Sequence, residues 1–147
     1  MTRVMKPLFP ALFFLFLSSM AAADQSPLTL PSNVSNAVMS AAQSWFIFID
    51  GNKVPESWKE TASLFKTQVS QKQWAESMAS VQTTFGMAMA RQLLNAQYTK
   101  TLPGAPDGEY VILQYQTAFE KKAASVETLT VMLDSDGKWR VAGYFIK

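Results

Sequence analysis

The apolar pattern of this chain changes its period once, at Phe85-Gly86, and that change constrains the fold more than any other feature. Before it, apolar residues recur at the three-to-four spacing of helices with one buried face. After it they alternate, as in strands with one buried face. Helices in one block followed by strands in another do not build the repeated strand–helix–strand units of a parallel sheet. They give an α+β domain, with N-terminal helices packed on a four-stranded, curved antiparallel sheet.

In the helical half, Val34, Val38, Ala41, Ala42, Trp45, Phe48 and Ile49 share one helix face, which Ser32 or Asn33 can cap and Gly51-Asn52 ends. Pro55-Glu56-Ser57-Trp58 opens a second, shorter helix, with Pro in the first turn and Trp58, Ala62 and Phe65 on one face. Ser70-Gln71-Lys72-Gln73 is a capping-box pattern for a third, with Trp74, Met78 and Val81 as its stripe. In the strand half, Leu94, Ala96, Tyr98 and Leu102 alternate, and the Pro103–Gly108 segment turns the chain. Val111, Leu113, Tyr115 and Phe119 mark a second strand, and Lys121–Ala124 bends into a third that ends near Leu133. Asp134-Ser135-Asp136-Gly137 closes a hairpin onto Lys138–Lys147. Connections this short favour a meander.

Ahead of this pattern stands a different kind of segment. Arg3 and Lys6 precede an apolar run from Leu8 to Leu17, and Ala21 and Ala23 fit a small-x-small cleavage site. That order reads as a secretory signal peptide over residues 1–23, too short in its apolar part to span a bilayer as a helix. The expectation is export to the bacterial periplasm or beyond, with residues 24–31 as an extended leader and 32–147 as one domain. Asp24 offers no cysteine for lipid attachment, so no stable membrane anchor is expected after cleavage.

Composition then removes whole classes of chemistry. Loss of Arg3 and Lys6 brings the thirteen Lys and Arg level with the eleven Asp and Glu, so no basic stripe is left for nucleic acid. The chain has no Cys and no His. Ser–His and Cys–His nucleophile pairs are thereby excluded, along with thiolate redox and the usual zinc and haem ligands. No metal and no cofactor is expected, and the domain has packing alone, without disulfides, to hold it together.

Within those limits Glu127 is the most informative charge. If Leu129, Val131 and Leu133 face the helices, Glu127 shares their side, where a carboxylate can sit at a pocket mouth as a general base. The plainer alternatives are a strand end that reaches solvent or a strand with a bulge. Asp50, at the end of the first helix, is a second candidate acid or a solvated helix-stop residue. Tyr98 and Tyr115 are candidate proton donors. Arg91 and Arg140 suit either an anion or a neighbouring carboxylate. The Pro/Gly-rich loop makes Pro103, Gly104, Pro106 and Asp107 candidates for recognition, or else a stiff connector. Tyr110 and Tyr144, left over once the sheet faces are assigned, are candidates for a partner surface. Asp134–Gly137 resembles only the start of a calcium loop, and Gln82–Gly86 only loosely echoes the cystatin inhibitory loop.

Several of these segments together resemble the domain-of-unknown-function 4019 family of small exported bacterial proteins. The resemblance rests on Ala42–Trp45, Ser57-Trp58, Leu64–Lys66 and Gln73-Trp74, and most heavily on Leu102–Val111. Val126–Thr130 and Asp136–Lys147 complete it, with departures at Tyr115 and Met132. It implies one α+β domain of cystatin-like or nuclear-transport-factor-like shape, and no activity or catalytic residue. The leading expectation is therefore a binding or interaction domain without catalysis, whose partner is an envelope protein or a small apolar ligand. A small cone-pocket enzyme of isomerase or hydratase type, using a carboxylate base, is the alternative. A homodimer through the sheet is a third.

Overall fold

The computed structural model describes residues 30–147; the expected signal segment and nearly all of the leader lie outside the described residues. Four helices come first: α1 (Ser32–Asp50), α2 (Val54–Lys59), α3 (Ser63–Gln68) and α4 (Gln71–Phe85). Four strands follow: β1 (Ala88–Thr99), β2 (Tyr110–Phe119), β3 (Lys122–Leu133) and β4 (Trp139–Ile146). The strands form one antiparallel sheet in chain order, and the helices cover one of its faces. This is the α+β meander that the period change implies.

The third expected helix is built as the sequence suggests. The Ser70 hydroxyl accepts from the Gln73 N–H at 3.1 Å, and the Gln73 side chain accepts from the Ser70 N–H at 2.9 Å. The start of α1 differs. It begins at Ser32 after Pro31 with no side-chain cap, so neither Ser32 nor Asn33 caps it. Its buried face carries Val38, Ala42, Trp45 and Phe46, with Phe46 in place of Phe48.

The second expected helix is two. The chain breaks at Glu60–Ala62 because Thr61 and Ala62 run alongside β4, where the Ala62 N–H donates to the Val141 carbonyl oxygen at 2.8 Å. This covers part of the β4 edge. Asp134 restarts the helix from outside: its Oδ2 accepts from the Ser63 N–H at 3.0 Å and from the Ser63 hydroxyl at 3.1 Å. The cap of α3 thus comes from a residue seventy-one positions away.

Indole hydrogen bonds lock the helical layer. The Trp45 indole N–H donates to the Ser57 carbonyl oxygen and the Trp74 indole N–H to the Ser57 hydroxyl, while Trp58 donates to the Val69 carbonyl oxygen. Fully buried Ser57 therefore ties α2 to both α1 and α4. Trp45, Phe46, Phe65, Trp74, Tyr115 and Tyr144 fill the space between helices and sheet, with ring centroids 5.2–6.3 Å apart in tilted and edge-on contacts. Below them lie Val111, Leu113, Leu129, Val131 and Val141.

Strand β1 departs from simple alternation. Bulges between Ala88 and Ala90 and between Leu93 and Asn95 shift its register against β2. The inward face is therefore Arg91, Leu93, Ala96 and Tyr98, and Leu94, expected in the core, is half exposed at the second bulge. Leu102 lies past the end of β1.

Candidate functional site

Glu127 sits near the start of the inward face of β3, opposite Tyr115 on β2. It neither reaches solvent nor opens on a pocket mouth: it is fully buried. Both oxygens are taken. Oε1 accepts from Arg91 Nε at 2.6 Å and from the Thr117 hydroxyl at 2.5 Å. Oε2 accepts from the Tyr144 hydroxyl at 2.5 Å and from Arg91 Nη2 at 3.3 Å. Four donors on one carboxylate fill its acceptor positions, which is what a buried charge requires.

Arg91 turns inward from β1 together with Leu93, because the bulge between Leu93 and Asn95 shifts the alternation relative to Ala96 and Tyr98. Beyond Glu127 its fork holds Asp50 at the end of α1, with Nη1 to Oδ2 at 2.6 Å and Nη2 to Oδ1 at 2.8 Å. The guanidinium lies 3.9 Å from the Phe46 ring centroid. Asp50 and Glu127, unrelated in sequence, thus meet through one arginine. Burial opposes the charge on Arg91, but the hydrogen bonds it donates to Asp50 and Glu127, with the charges of both, outweigh burial and raise its pKa. Burial also pushes the Tyr115 hydroxyl up to about 12, an effect that Arg91 offsets in part and Glu127 reinforces. Tyr144 is raised well above its ordinary value, first by burial and then by Glu127.

Beside this group is a cavity of about 340 Å³, between the end of α1, the end of α4 and the start of β1. Arg91, Asp50 and Tyr144 line it, with Glu127 behind them; Ile49, Val54, Met78, Val81 and Phe119 form apolar walls. Tyr98 stands at the opposite end of β1, its hydroxyl donating to Glu109 at 2.8 Å. It does not join the cluster, and that hydrogen bond is the main cause of its raised pKa.

The expected recognition loop is a pinned structure. The Gly108 N–H donates to the Lys100 carbonyl oxygen at 3.0 Å, and the Tyr110 hydroxyl to the Pro106 carbonyl oxygen at 2.6 Å. Gly104 holds a φ of +75°, which a side chain resists. Pro103, Gly104, Pro106 and Asp107 are exposed, whereas Tyr110 is buried, with burial and then Asp107 raising its pKa. Neither Tyr110 nor Tyr144 presents an open aromatic surface, since the Tyr144 hydroxyl points into the Glu127 cluster. On the outer face of the sheet this loop borders a groove of about 430 Å³, with Leu64 and Gln68 of α3 also lining it. Register places Asn95, Gln114, Thr128 and Phe145 in one row across all four strands. No lining residue of the groove is charged.

Arg140 takes the plainer of its two readings. It pairs with Asp136 at 2.7 and 2.8 Å and with Asp134 at 3.3 Å, so the side chains of the would-be calcium loop serve a turn. Thr117 and Ser57 were not singled out by sequence. Thr117 lies two residues beyond Tyr115 on the same strand face, a signal that period two already carries. Ser57 has no comparable signal.

Fold and site together define a small α+β domain with an aromatic core and a buried Arg–carboxylate cluster at one end of its sheet. The family model described as a protein of unknown function, DUF4019, matches residues 41–144, from within α1 to the end of the Glu127 cluster at Tyr144, and the chain belongs to that family. No curated protein and no solved structure matches the chain.

Proposed function

We propose that this is an exported binding domain without catalysis, which holds an uncharged ligand or partner segment in the groove on the outer face of its sheet. The saturation of Glu127 carries the reading. A general base needs a free lone pair within reach of substrate, and all four acceptor positions of this carboxylate are engaged by Arg91, Thr117 and Tyr144. Asp50, the other candidate base, faces the cavity at the end of α1 but has both oxygens held by Arg91, and elsewhere the space between helices and sheet is filled by Trp45, Trp74, Phe46 and Tyr115.

The groove has the opposite character. Side-chain amides and hydroxyls lie along its floor, Phe145 and Leu64 supply apolar surface, and the 103–106 loop gives it a stiff rim. A few convergent polar groups on a concave, partly apolar surface are the usual make-up of a ligand site. An envelope protein segment and a small, largely apolar molecule are the two occupants the groove suits. Export rests on the signal-like residues 1–23.

Native mass spectrometry of the protein recovered from its own cells tests both parts. A mass beginning at Asp24 and a retained molecule, lost in the groove variant Gln114→Arg, are the expected results. An uncleaved N-terminus overturns export. A retained molecule that Gln114→Arg still holds overturns the groove as its seat.

A further inference from the structure

We infer that the cavity at the end of α1 binds an amphiphilic cation, a primary ammonium seated on Asp50 with its alkyl tail among Ile49, Met78, Val81 and Phe119. This site shares only Tyr144 with the lining of the outer-face groove, and the inference does not depend on that groove. Two observations set the sign of the ligand and a third sets the character of its tail. The first is local charge. Arg91 is the single cation among the lining residues of this cavity, and it is shared between two carboxylates, Asp50 and Glu127. The cluster carries one negative charge in excess, and only Asp50 has room to present it. Its side chain is 40% exposed, and each oxygen accepts one Arg91 hydrogen bond, so each keeps an acceptor position.

The second is the backbone. Asp50-Gly51 ends α1 and Gly86 ends α4, and all three line the cavity. A helix C-terminus carries about half a negative charge, which a basic residue in the last turn usually offsets. Neither helix has one. Lys121 reaches the Thr83 carbonyl oxygen at 2.8 Å and relieves α4 in part, but it is not among the lining residues. The third is the walls, which are aliphatic, thioether and aromatic, suited to a tail.

Other ligand signs fit less well. An anion would meet a guanidinium whose Nε, Nη1 and Nη2 already donate to carboxylates. A wholly apolar ligand would cover the remaining lone pairs of Asp50 without a donor, at a desolvation cost. A cation with an apolar tail answers both.

The test uses n-hexylammonium, 1-hexanol and hexanoate as probes, followed by chemical-shift titration of the full-length folded protein at neutral pH. Hexylammonium should bind about tenfold or more tightly than either of the others, the scale of a hydrogen bond to a charged group. Its shifts should centre on Ile49, Met78 and Val81. Asp50→Asn should remove that advantage and leave hexanol binding unchanged, and Val81→Trp, which fills the cavity, should abolish binding of all three. Equal or tighter binding of hexanoate by the wild-type protein overturns the proposal, and so do shifts confined to the outer face. The wild-type preference is read without any variant, so a poorly folding variant does not remove the test.

Discussion

At the scale of single residues, the Arg91–Glu127 pair shows how a charge is kept inside a small domain. Glu127 is fully buried, and Arg91 has only 15% of its side chain exposed. Removing one partner of such a pair leaves the other charged and unpaired, which typically costs roughly 3–5 kcal/mol. Arg91→Met should therefore cost about that much in urea unfolding, since it leaves Glu127 with two hydroxyls and no cation. Glu127→Leu should cost less, because Arg91 keeps Asp50. The double change Arg91→Met with Glu127→Leu should recover much of the loss, as apolar replacements of buried ion pairs often do. Strictly additive costs would show that the two residues do not act as a pair. Glu127 shares its strand face with Leu129, and period two places it there. That it meets Arg91, thirty-six residues away, is fixed by a bulge in another strand, and no local pattern records it.

At the scale of elements, the structure is held by termini and breaks more than by regular segments. Ser70→Ala removes one half of the capping box of α4 and should lower stability by about 1 kcal/mol. Gly86→Ala should cost more. Gly86 holds a φ of +72°, and an added Cβ would fall 2.6 Å from the Glu120 carboxylate that accepts from the Met87 N–H at 2.8 Å. Thermal melts of the two variants rank these costs, and a smaller loss for Gly86→Ala would show that Glu120 moves aside freely. What could be read in advance divides along the same line. The Ser70 cap, the Asp134–Gly137 turn and the stripes of α4 and β2 depend on neighbours within a few residues, and the sequence displays them. The split of α2 from α3 depends on Val141 and Asp134, and the inward turn of Leu93 depends on a bulge against Tyr115. Those causes lie far along the chain, so propensity and period alone point to one longer helix and to Leu94 in the core.

For the molecule as a whole, all four tyrosines are engaged, and their pKa values all move the same way. Hydrogen bonding to Glu109 raises Tyr98, burial and then Asp107 raise Tyr110, burial raises Tyr115 to about 12, and burial and then Glu127 raise Tyr144 well above its usual range. In the unfolded chain these groups ionise near their ordinary value of 10.0. A raised folded pKa favours the protonated form, so its contribution to stability is complete below pH 10 and is lost as pH rises toward the folded values. Between pH 10 and 12 the unfolded chain has released protons that the fold retains. Each buried tyrosine still protonated in the fold then lowers stability by about 1.4 kcal/mol per pH unit. Tyrosinate absorbance should consequently be well below that of a urea-unfolded sample at pH 10, where the unfolded chain is about half ionised, with Tyr115 and Tyr144 silent in the native protein. It should then rise steeply, in step with the loss of tryptophan fluorescence, because Tyr144 and Tyr115 lie in the same aromatic cluster as Trp45 and Trp74. Replacing both with Phe should flatten the alkaline fall in the urea midpoint relative to the wild-type protein, after allowance for the hydrogen bond lost from Glu127. A native protein that titrates all four tyrosines near pH 10 with its fluorescence intact would mean that Tyr115 and Tyr144 are open to water, and that the packing between helices and sheet is loose.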